Sequence, residues 1–340
     1  GESSSLLNIT CGVPQEWSVL GPLLFLIYIN DLPKISKTLE FFLFADDTNI
    51  FLEADSPEQL EKQMNKGLKE LQNWLIINRL SLNIEKTNFV VYRPYNKQQK
   101  KTITLIIQRK AIKEKEALKY LGILLDSGLT WTNHIDHLSK KLSRATGLLY
   151  KIRPYISYDI LKMLYYSLIY SHINYGIEVW GSADVIHLNK ILTIQKRIVR
   201  LITFSDKRLD DYSFPASDPL FYRLGFLKVP DIFKLRIVKF IFKCLNNNTP
   251  TNFHNWFTRT SNVHRYNTRS KYENIDTESE TRTLFIHSAR TTHYGLKLTK
   301  VLGSKIWNQL PSSLRVEHMP FYSFYNRFKK ILLLPYSNQI

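Results

Sequence analysis

The segment LEFFLFADDTNIFL, residues 39–52, sets two adjacent acids, Asp46 and Asp47, between two apolar stretches. This pattern predicts a β-hairpin with strands at Leu39–Ala45 and Thr48–Leu52 and with the acids at its tip. Neighbouring carboxylates repel each other unless a cation or a base neutralises them, and the segment contains no Lys or Arg. Two interpretations therefore remain open: a cation-binding tip, or a turn whose acids simply face water.

The blocks around this hairpin carry a family resemblance. Gly12–Gln15 (GVPQ) and Ser18–Leu32 (SVLGPLLFLIYINDL) precede Phe44–Asp47 (FADD). This order and spacing resemble the reverse transcriptases of non-LTR retrotransposons of the LINE type, and the resemblance is Jockey-like. Further along, Trp74–Thr87 is similar to the next block of that family, and Leu118–Ile123 is similar to its primer-grip block.

The resemblance implies an RNA-directed DNA polymerase. In such enzymes two Mg²⁺ ions, about 3.5–4 Å apart, assist the transfer of a nucleotidyl group to a primer. The family uses the first acid of the pair as a direct metal ligand, so Asp46 takes this role and Asp47 lies at the rim of the same metal site. Lys86 matches a basic residue that is proposed to protonate the departing pyrophosphate. The alternative for Lys86 is an exposed turn lysine.

The same resemblance implies substrate contacts. Gln15 and Ser18 would line the nucleotide and template pocket, and the helix that starts near Gly21 would supply backbone donors. Gly122 lies in the primer-grip block, where a residue without a side chain lets the backbone approach the primer closely. An ordinary strand bulge is the alternative for this glycine. The implied partners are an RNA template, a DNA primer and deoxynucleotides.

One departure from the family pattern concerns catalysis. Where the family has a single glycine between Gln15 and Ser18, this chain has Glu16-Trp17. A carboxylate and an indole at this point would repel and block a triphosphate. The chain also begins with Gly1, after the strand that carries a further metal-binding aspartate in the family, so we interpret it as a fragment. We expect the chain alone to be inactive, and the alternative function is a non-enzymatic nucleic-acid-binding remnant.

The charge distribution favours nucleic acid as a partner. Residues 127–340 carry thirty-one Lys and Arg against fourteen Asp and Glu, whereas residues 1–126 carry sixteen against fifteen, within a net charge of +18. Basic surfaces attract phosphate backbones through counterion release, although a merely solvated basic surface is the alternative. Four tyrosines of the helical part either stack on bases or, as we favour, pack helices together: Tyr165, Tyr166, Tyr170 and Tyr175.

Local signals predict an α+β fold. Ser56 and Gln59 form a capping box around Pro57, which predicts the start of a helix. Its apolar stripe consists of Leu60, Met64, Leu68, Leu71 and Leu75. Further strands are predicted at Phe89–Tyr92, Ile103–Ile107 and Leu118–Leu125. With a strand predicted at Ser5–Thr10 and a helix from near Gly21 to about Leu32, the order strand, helix, hairpin, helix, strand is a split βαβ order whose opening strand is missing. The resemblance implies that this unit is a polymerase palm.

The resemblance, together with these patterns, implies three domains. Residues 1–126 would form the C-terminal half of the palm, and residues 127–205 would form an all-helical thumb. Residues 206–340 would form a basic C-terminal helical region. Residues 258–295 are rich in Arg, Thr, Ser and Asn, so we expect a flexible arm there.

Other site classes find little support in the sequence. Cys11 and Cys244 match no zinc or redox spacing, which fits a reducing intracellular compartment, and the family's reaction implies cytoplasm and nucleus. The segment His134–His137 has no partner set with zinc spacing, so we interpret its histidines as helix-surface residues. The longest apolar run, Val19–Ile29, is too short for a bilayer and predicts a buried helix, with no membrane partner.

Overall fold

The structure, a computed structural model, combines α-helices with short strands and is of the α+β class. It describes residues 19–93, 102–206, 214–263, 283–292, 294–315 and 319–337. The helices are α1 (Leu20–Ile29), α2 (Pro57–Ile77), α3 (Thr132–Ile152), α4 (Tyr158–Tyr165), α5 (Ser171–Asn174), α6 (Ile177–Trp180), α7 (Val185–Ile202), α8 (Asp218–Leu224), α9 (Val229–Leu245), α10 (Thr260–Val263), α11 (Thr299–Asn308) and α12 (Phe321–Leu333). The strands are β1 (Glu40–Phe44), β2 (Asp47–Phe51), β3 (Asn88–Phe89), β4 (Ile106–Ile107), β5 (Lys110–Ala111), β6 (Lys113–Glu114), β7 (Ala117–Tyr120) and β8 (Ile123–Asp126).

The chain divides into two compact units. The first unit comprises residues 1–118 and 126–128, and the second comprises residues 119–125 and 129–340. Each unit buries its own apolar cluster among the residues that the structure describes.

Helix α2 organises the core of the first unit. The hydroxyl of Ser56 accepts a hydrogen bond from the backbone N–H of Gln59 at 3.3 Å, with Pro57 in the first turn, so the predicted helix start is confirmed. The predicted stripe is buried at Leu68, Leu71 and Leu75 and partly buried at Leu60 and Met64. Trp74 extends the buried face beyond the predicted stripe.

The strands of the described residues form separate two-stranded pairs. β1 pairs with β2 and β4 with β5 in antiparallel fashion, whereas β3 pairs with β6 in parallel. The predicted strand at Phe89–Tyr92 overlaps β3 only at Phe89, and the predicted strand at Ile103–Ile107 shortens to β4. The single strand predicted at Leu118–Leu125 is wrong, because a turn at Leu121 and Gly122 folds this segment into the β7–β8 hairpin. Both turn residues have positive φ, of 44° and 86°.

Helix α1 is largely exposed, so the prediction of a buried helix is wrong. Ile29 is its only buried side chain, while Leu23, Leu26 and Ile27 are each more than half exposed. The helix meets α2 through the Tyr28 hydroxyl, which donates to the carbonyl of Asn78. No helix in the described part of the chain is both long and apolar enough to cross a membrane.

A buried amide holds the core of the second unit together. Gln195 of α7 is fully buried, and its side-chain N–H groups donate to the Tyr165 hydroxyl at 2.9 Å and to the Leu227 carbonyl at 2.7 Å. Its oxygen accepts the backbone N–H of Val229 at 3.0 Å. One side chain therefore joins α4, the loop before α9 and the first turn of α9 to α7.

The segment predicted to be a flexible arm, residues 258–295, makes contacts near both of its ends. Arg259 and Leu284 pair in an antiparallel bridge, and Leu284 is buried. The side-chain amide of Asn308 donates to the Leu284 carbonyl and accepts from its N–H, both at 2.8 Å. Residues 264–282 and 293 lie outside the described residues, and the flexible arm stays a prediction.

Candidate metal-binding hairpin and basic surface

The acid pair lies at the tip of the β1–β2 hairpin. The last pair of the ladder is Phe44 with Asp47, so the connecting loop consists of Ala45 and Asp46 alone. Ala45 has a φ of 49°, in the left-handed region that residues with a Cβ seldom adopt. The predicted hairpin is confirmed, with Asp46 in the loop and Asp47 at the first position of β2. The catalytic role of the acids stays a prediction.

The two faces of the hairpin differ in environment. Paired residues in an antiparallel ladder share a face, so Asp47 lies on the same face as Phe42 and Phe44. This face is exposed. The opposite face carries Phe41 and Leu43, which are partly buried against the core of the first unit. Core packing therefore anchors one side of the hairpin and leaves the acidic tip open to solvent.

The two carboxylates are chemically suited to a divalent cation. Asp46 and Asp47 are exposed, and neither forms an ion pair or side-chain hydrogen bond with any described residue. No group of three or more His, Cys, Asp or Glu side chains in the described ranges is arranged to hold a metal. Mg²⁺ is usually held by one or two carboxylates together with water and substrate phosphates, so this pair fits Mg²⁺.

Lys86 lies in a tight turn of the first unit. The side-chain oxygen of Asn83 accepts the backbone N–H of Lys86 at 3.2 Å, and the Thr87 hydroxyl donates to the Asn83 carbonyl at 2.8 Å. These bonds fix the backbone, whereas the ammonium group is exposed and has no ion pair within the described residues. No hydrogen bond or ion pair of the described structure joins it to Asp46 or Asp47. The structure agrees with a turn lysine, and the catalytic role stays a prediction.

The predicted nucleotide pocket is described only at Gly21. This residue is the second of α1, whose N-cap residue, Val19, supplies no side-chain hydrogen bond to the first turn. Gln15, Ser18 and the departure at residues 16–17 lie outside the described residues, and their roles stay predictions.

Gly122 has a local structural explanation. It occupies the β7–β8 turn with a φ of 86°, where a side chain would be strained. The Tyr175 hydroxyl donates to the carbonyl of Leu121 at 2.5 Å, and a Cβ on Gly122 would lie 3.2 Å from the Tyr175 ring. Gly122 is therefore a turn residue and not the strand bulge considered from the sequence. A primer-grip role stays a prediction.

The second unit carries a basic surface on α3. Lys140, Lys141 and Arg144 are exposed on this helix, and Lys119 of β7 is near them. Partial burial, followed by the charges of these four residues, lowers the pKa of His137. The five side chains therefore share one electrostatic environment, which we call the basic surface. Lys119 was missed because no local signal joins it to α3.

His134 is buried, so its interpretation as a surface histidine is wrong. Its Nδ1 accepts the backbone N–H of Leu124 at 3.3 Å, and its ring centroid lies 5.6 Å from that of Trp180. Burial, followed by nearby positive charges, lowers its pKa from 6.5 to about 4. His134 therefore joins β8 to α3 as a neutral group. Its spacing from Leu138, one helical turn on, was the available signal of burial.

A family model described as reverse transcriptase (RNA-dependent DNA polymerase) matches residues 1–125. This range contains the acidic hairpin tip and the Lys86 turn. Residues 1–125 of the chain are similar to the reverse transcriptase family. The resemblance to non-LTR retrotransposon reverse transcriptases is thereby confirmed, and it extends to individual relatives.

The relatives of this chain include proteins of mobile elements in Drosophila melanogaster. The RNA-directed DNA polymerase from mobile element jockey is 29% identical over 214 residues, 60% of this chain and 23% of the relative. The probable RNA-directed DNA polymerase from transposon X-element is 27% identical over 203 residues, 58% of this chain and 22% of the relative. The chain thus spans less than a quarter of these relatives. No solved structure matches it significantly.

Proposed function

We propose that the chain is part of a non-LTR retrotransposon reverse transcriptase and takes part in RNA-directed DNA polymerisation. The supporting observation is the exposed pair Asp46 and Asp47 at a tight hairpin tip, inside the segment that matches the family. Mg²⁺ held by these carboxylates would stabilise the attacking and leaving oxygens of phosphoryl transfer. The protein contributes a tip that packing on Phe41 and Leu43 holds in place. The exposed ammonium of Lys86 would protonate the departing pyrophosphate.

The proposed function gives each part of the chain a role. Residues 1–126 would form the C-terminal half of a palm, residues 127–205 a thumb, and residues 206–340 a basic helical region. The partners would be an RNA template, a DNA primer and deoxynucleotides. Such a reaction would proceed where RNA and chromosomal DNA are found, in cytoplasm and nucleus.

Metal binding at the hairpin tests this proposal without requiring turnover. Mn²⁺ prefers the same oxygen ligands as Mg²⁺ and can be titrated through its effect on water proton relaxation. We expect Asp46→Asn to abolish a Mn²⁺ site of the wild-type chain. Asp55→Asn, at an exposed acid just beyond the same hairpin, should leave that site intact. Equal Mn²⁺ binding in both variants would reject the hairpin as the metal site.

Non-enzymatic nucleic-acid binding is the second candidate function, and the basic surface on α3 favours it. Primer extension on an RNA template separates the two candidates. Extension that requires Mg²⁺ and is lost in Asp46→Asn supports polymerisation and contradicts the expectation that this chain alone is inactive. Binding of the primer–template without extension supports binding alone as the activity of this isolated chain, as its expected inactivity predicts.

A further inference from the structure

A cleft in the second unit lies beside the π-helical turn Tyr166–Tyr170, which joins α4 to α5. Its volume is about 80 Å³, and we call it the tyrosine cleft. The side chains that line it include Tyr165, Tyr166, Tyr170, Phe226, Tyr325 and Lys329. Single π-helical turns are rare in proteins, and those that do occur are often found at functional sites. This cleft is therefore a candidate binding site.

Packing fixes the inner wall of the cleft. The ring of Tyr165 is fully buried and stacks on Phe226 with centroids 3.9 Å apart, and its hydroxyl is held by Gln195. Tyr166 meets Phe226 edge-on at 5.3 Å and Tyr170 at 5.5 Å, yet it remains 40% exposed. The cleft therefore offers a preformed aromatic surface to a ligand from solvent.

Lys329 supplies a positive charge in this aromatic setting. Its side chain is half-buried, and it forms no ion pair with any residue in the described part of the chain. Partial burial lowers the pKa of its ammonium group. A bound anion would compensate for this desolvation. The cleft therefore suits a ligand that combines a planar ring with a negative charge.

We propose that the tyrosine cleft binds one nucleotide of a single-stranded nucleic acid, with the base against the tyrosine rings and a phosphate at Lys329. Bases stack on aromatic side chains without sequence preference, while lysines track the backbone. The excess of positive charge in residues 127–340 adds attraction for a phosphate backbone, and the aromatic surface favours a base-bearing polyanion. This proposal rests on the nucleic-acid partner of the proposed function, but it is independent of the acidic hairpin and of catalysis.

Binding of a fluorescently labelled oligothymidylate, compared with an abasic strand of the same length, tests the proposal by anisotropy. We expect the full chain to bind the base-containing strand about ten-fold more tightly. Tyr166→Ala should remove this difference, and Tyr166→Phe should keep it because the ring remains. Lys329→Gln should weaken binding of the oligothymidylate several-fold.

Matched controls for both substitutions lie on α12, the helix that carries Lys329. Tyr322, which is 75% exposed, and Lys330 are outside the cleft, so Tyr322→Ala and Lys330→Gln should bind like the wild-type chain. The proposal is overturned if the wild-type chain binds both strands equally, or if Tyr166→Ala and Lys329→Gln match their controls. It is also overturned if those variants lose binding of an acidic tyrosine-containing peptide but not of the oligothymidylate. Failure of metal binding at Asp46 would leave all these outcomes unaffected.

Discussion

Gly181 and Gly147 show how differently a single methyl group is accommodated in the second unit. A Cβ on Gly181, at the end of α6, would lie 2.3 Å from Cδ2 of Phe233 and 2.5 Å from the backbone oxygen of Ile177. The backbone oxygen cannot move aside without distorting the helix. A Cβ on Gly147 of α3 would meet no described atom within 4 Å.

Alanine substitutions at these two glycines should therefore have opposite effects on the free energy of unfolding. We expect Gly181→Ala to destabilise the protein by about 2 kcal/mol, because the added methyl overpacks a filled site. Gly147→Ala should stabilise it by about 0.5–1 kcal/mol, because alanine loses less conformational entropy in an exposed helix. Denaturant unfolding measures both values, and effects of the same sign would contradict the described packing.

The buried histidine of α3 predicts a pH dependence of stability. Between pH 6.5 and about 4, the unfolded chain takes up a proton at His134, whereas the folded chain does not. The unfolded state binds more protons, so the free energy of unfolding falls as the pH falls through this window. We expect a contribution of about 2 kcal/mol after allowance for solvent screening.

Unfolding experiments at a series of pH values isolate this contribution. His134→Gln should show a shallower decline in the free energy of unfolding between pH 6.5 and 4 than the wild-type chain. His172→Gln, at an exposed position of α5, should decline like the wild-type chain. A wild-type slope in His134→Gln would show that this residue is not the titrating group.

At the scale of elements, local signals were sufficient where the structure depends on neighbours in sequence. Ser56 and Gln59 specify the start of α2 through one hydrogen bond, and the apolar pattern of residues 39–52 specifies the hairpin. The turn at Leu121 was missed because a leucine with positive φ has no sequence signal. The burial of α1 was overestimated because apolar composition does not reveal whether a partner is present.

The contacts of Gln195 predict a large effect for one amide of α7. Gln195→Ala would leave the Leu227 carbonyl, the Val229 N–H and the Tyr165 hydroxyl without their buried partner. We expect a loss of about 3 kcal/mol in the free energy of unfolding. Asn189→Ala, an exposed amide on the same helix, should change it by less than about 0.5 kcal/mol. Thermal or denaturant unfolding of both variants checks this, and similar losses would refute it.

At the scale of the whole molecule, the candidate sites differ in how far sequence could predict them. The acid pair and its hairpin are contiguous in sequence, so residues 39–52 were enough to predict their arrangement. The tyrosine cleft brings Tyr166, Phe226 and Lys329 together from distant parts of the chain. Their meeting depends on helix packing and on a π-helical turn, neither of which has a periodic signal in the sequence.

The uneven charge of the chain predicts which basic side chains bind nucleic acid. Neutralising the basic surface should weaken binding to duplex and reduce the slope of log affinity against log salt concentration by about 2–3. The substitutions are Lys140→Gln, Lys141→Gln and Arg144→Gln, made together. A matched triple variant on exposed positions of α2 should leave the slope nearly unchanged: Lys62→Gln, Lys66→Gln and Lys69→Gln. Titrations at several salt concentrations measure the slopes, and equal reductions would contradict a localised basic surface.

The outward-facing helix α1 has a practical consequence for handling the purified protein. Its ten residues include no charge, and Leu23, Leu26 and Ile27 are 52%, 52% and 66% exposed. An exposed apolar surface of this kind promotes aggregation, while electrostatic repulsion between highly cationic molecules opposes it. Concentrated salt that strips adhering nucleic acid during chromatography also screens this repulsion. Clean preparations will therefore tend to precipitate unless a mild detergent coats this helix.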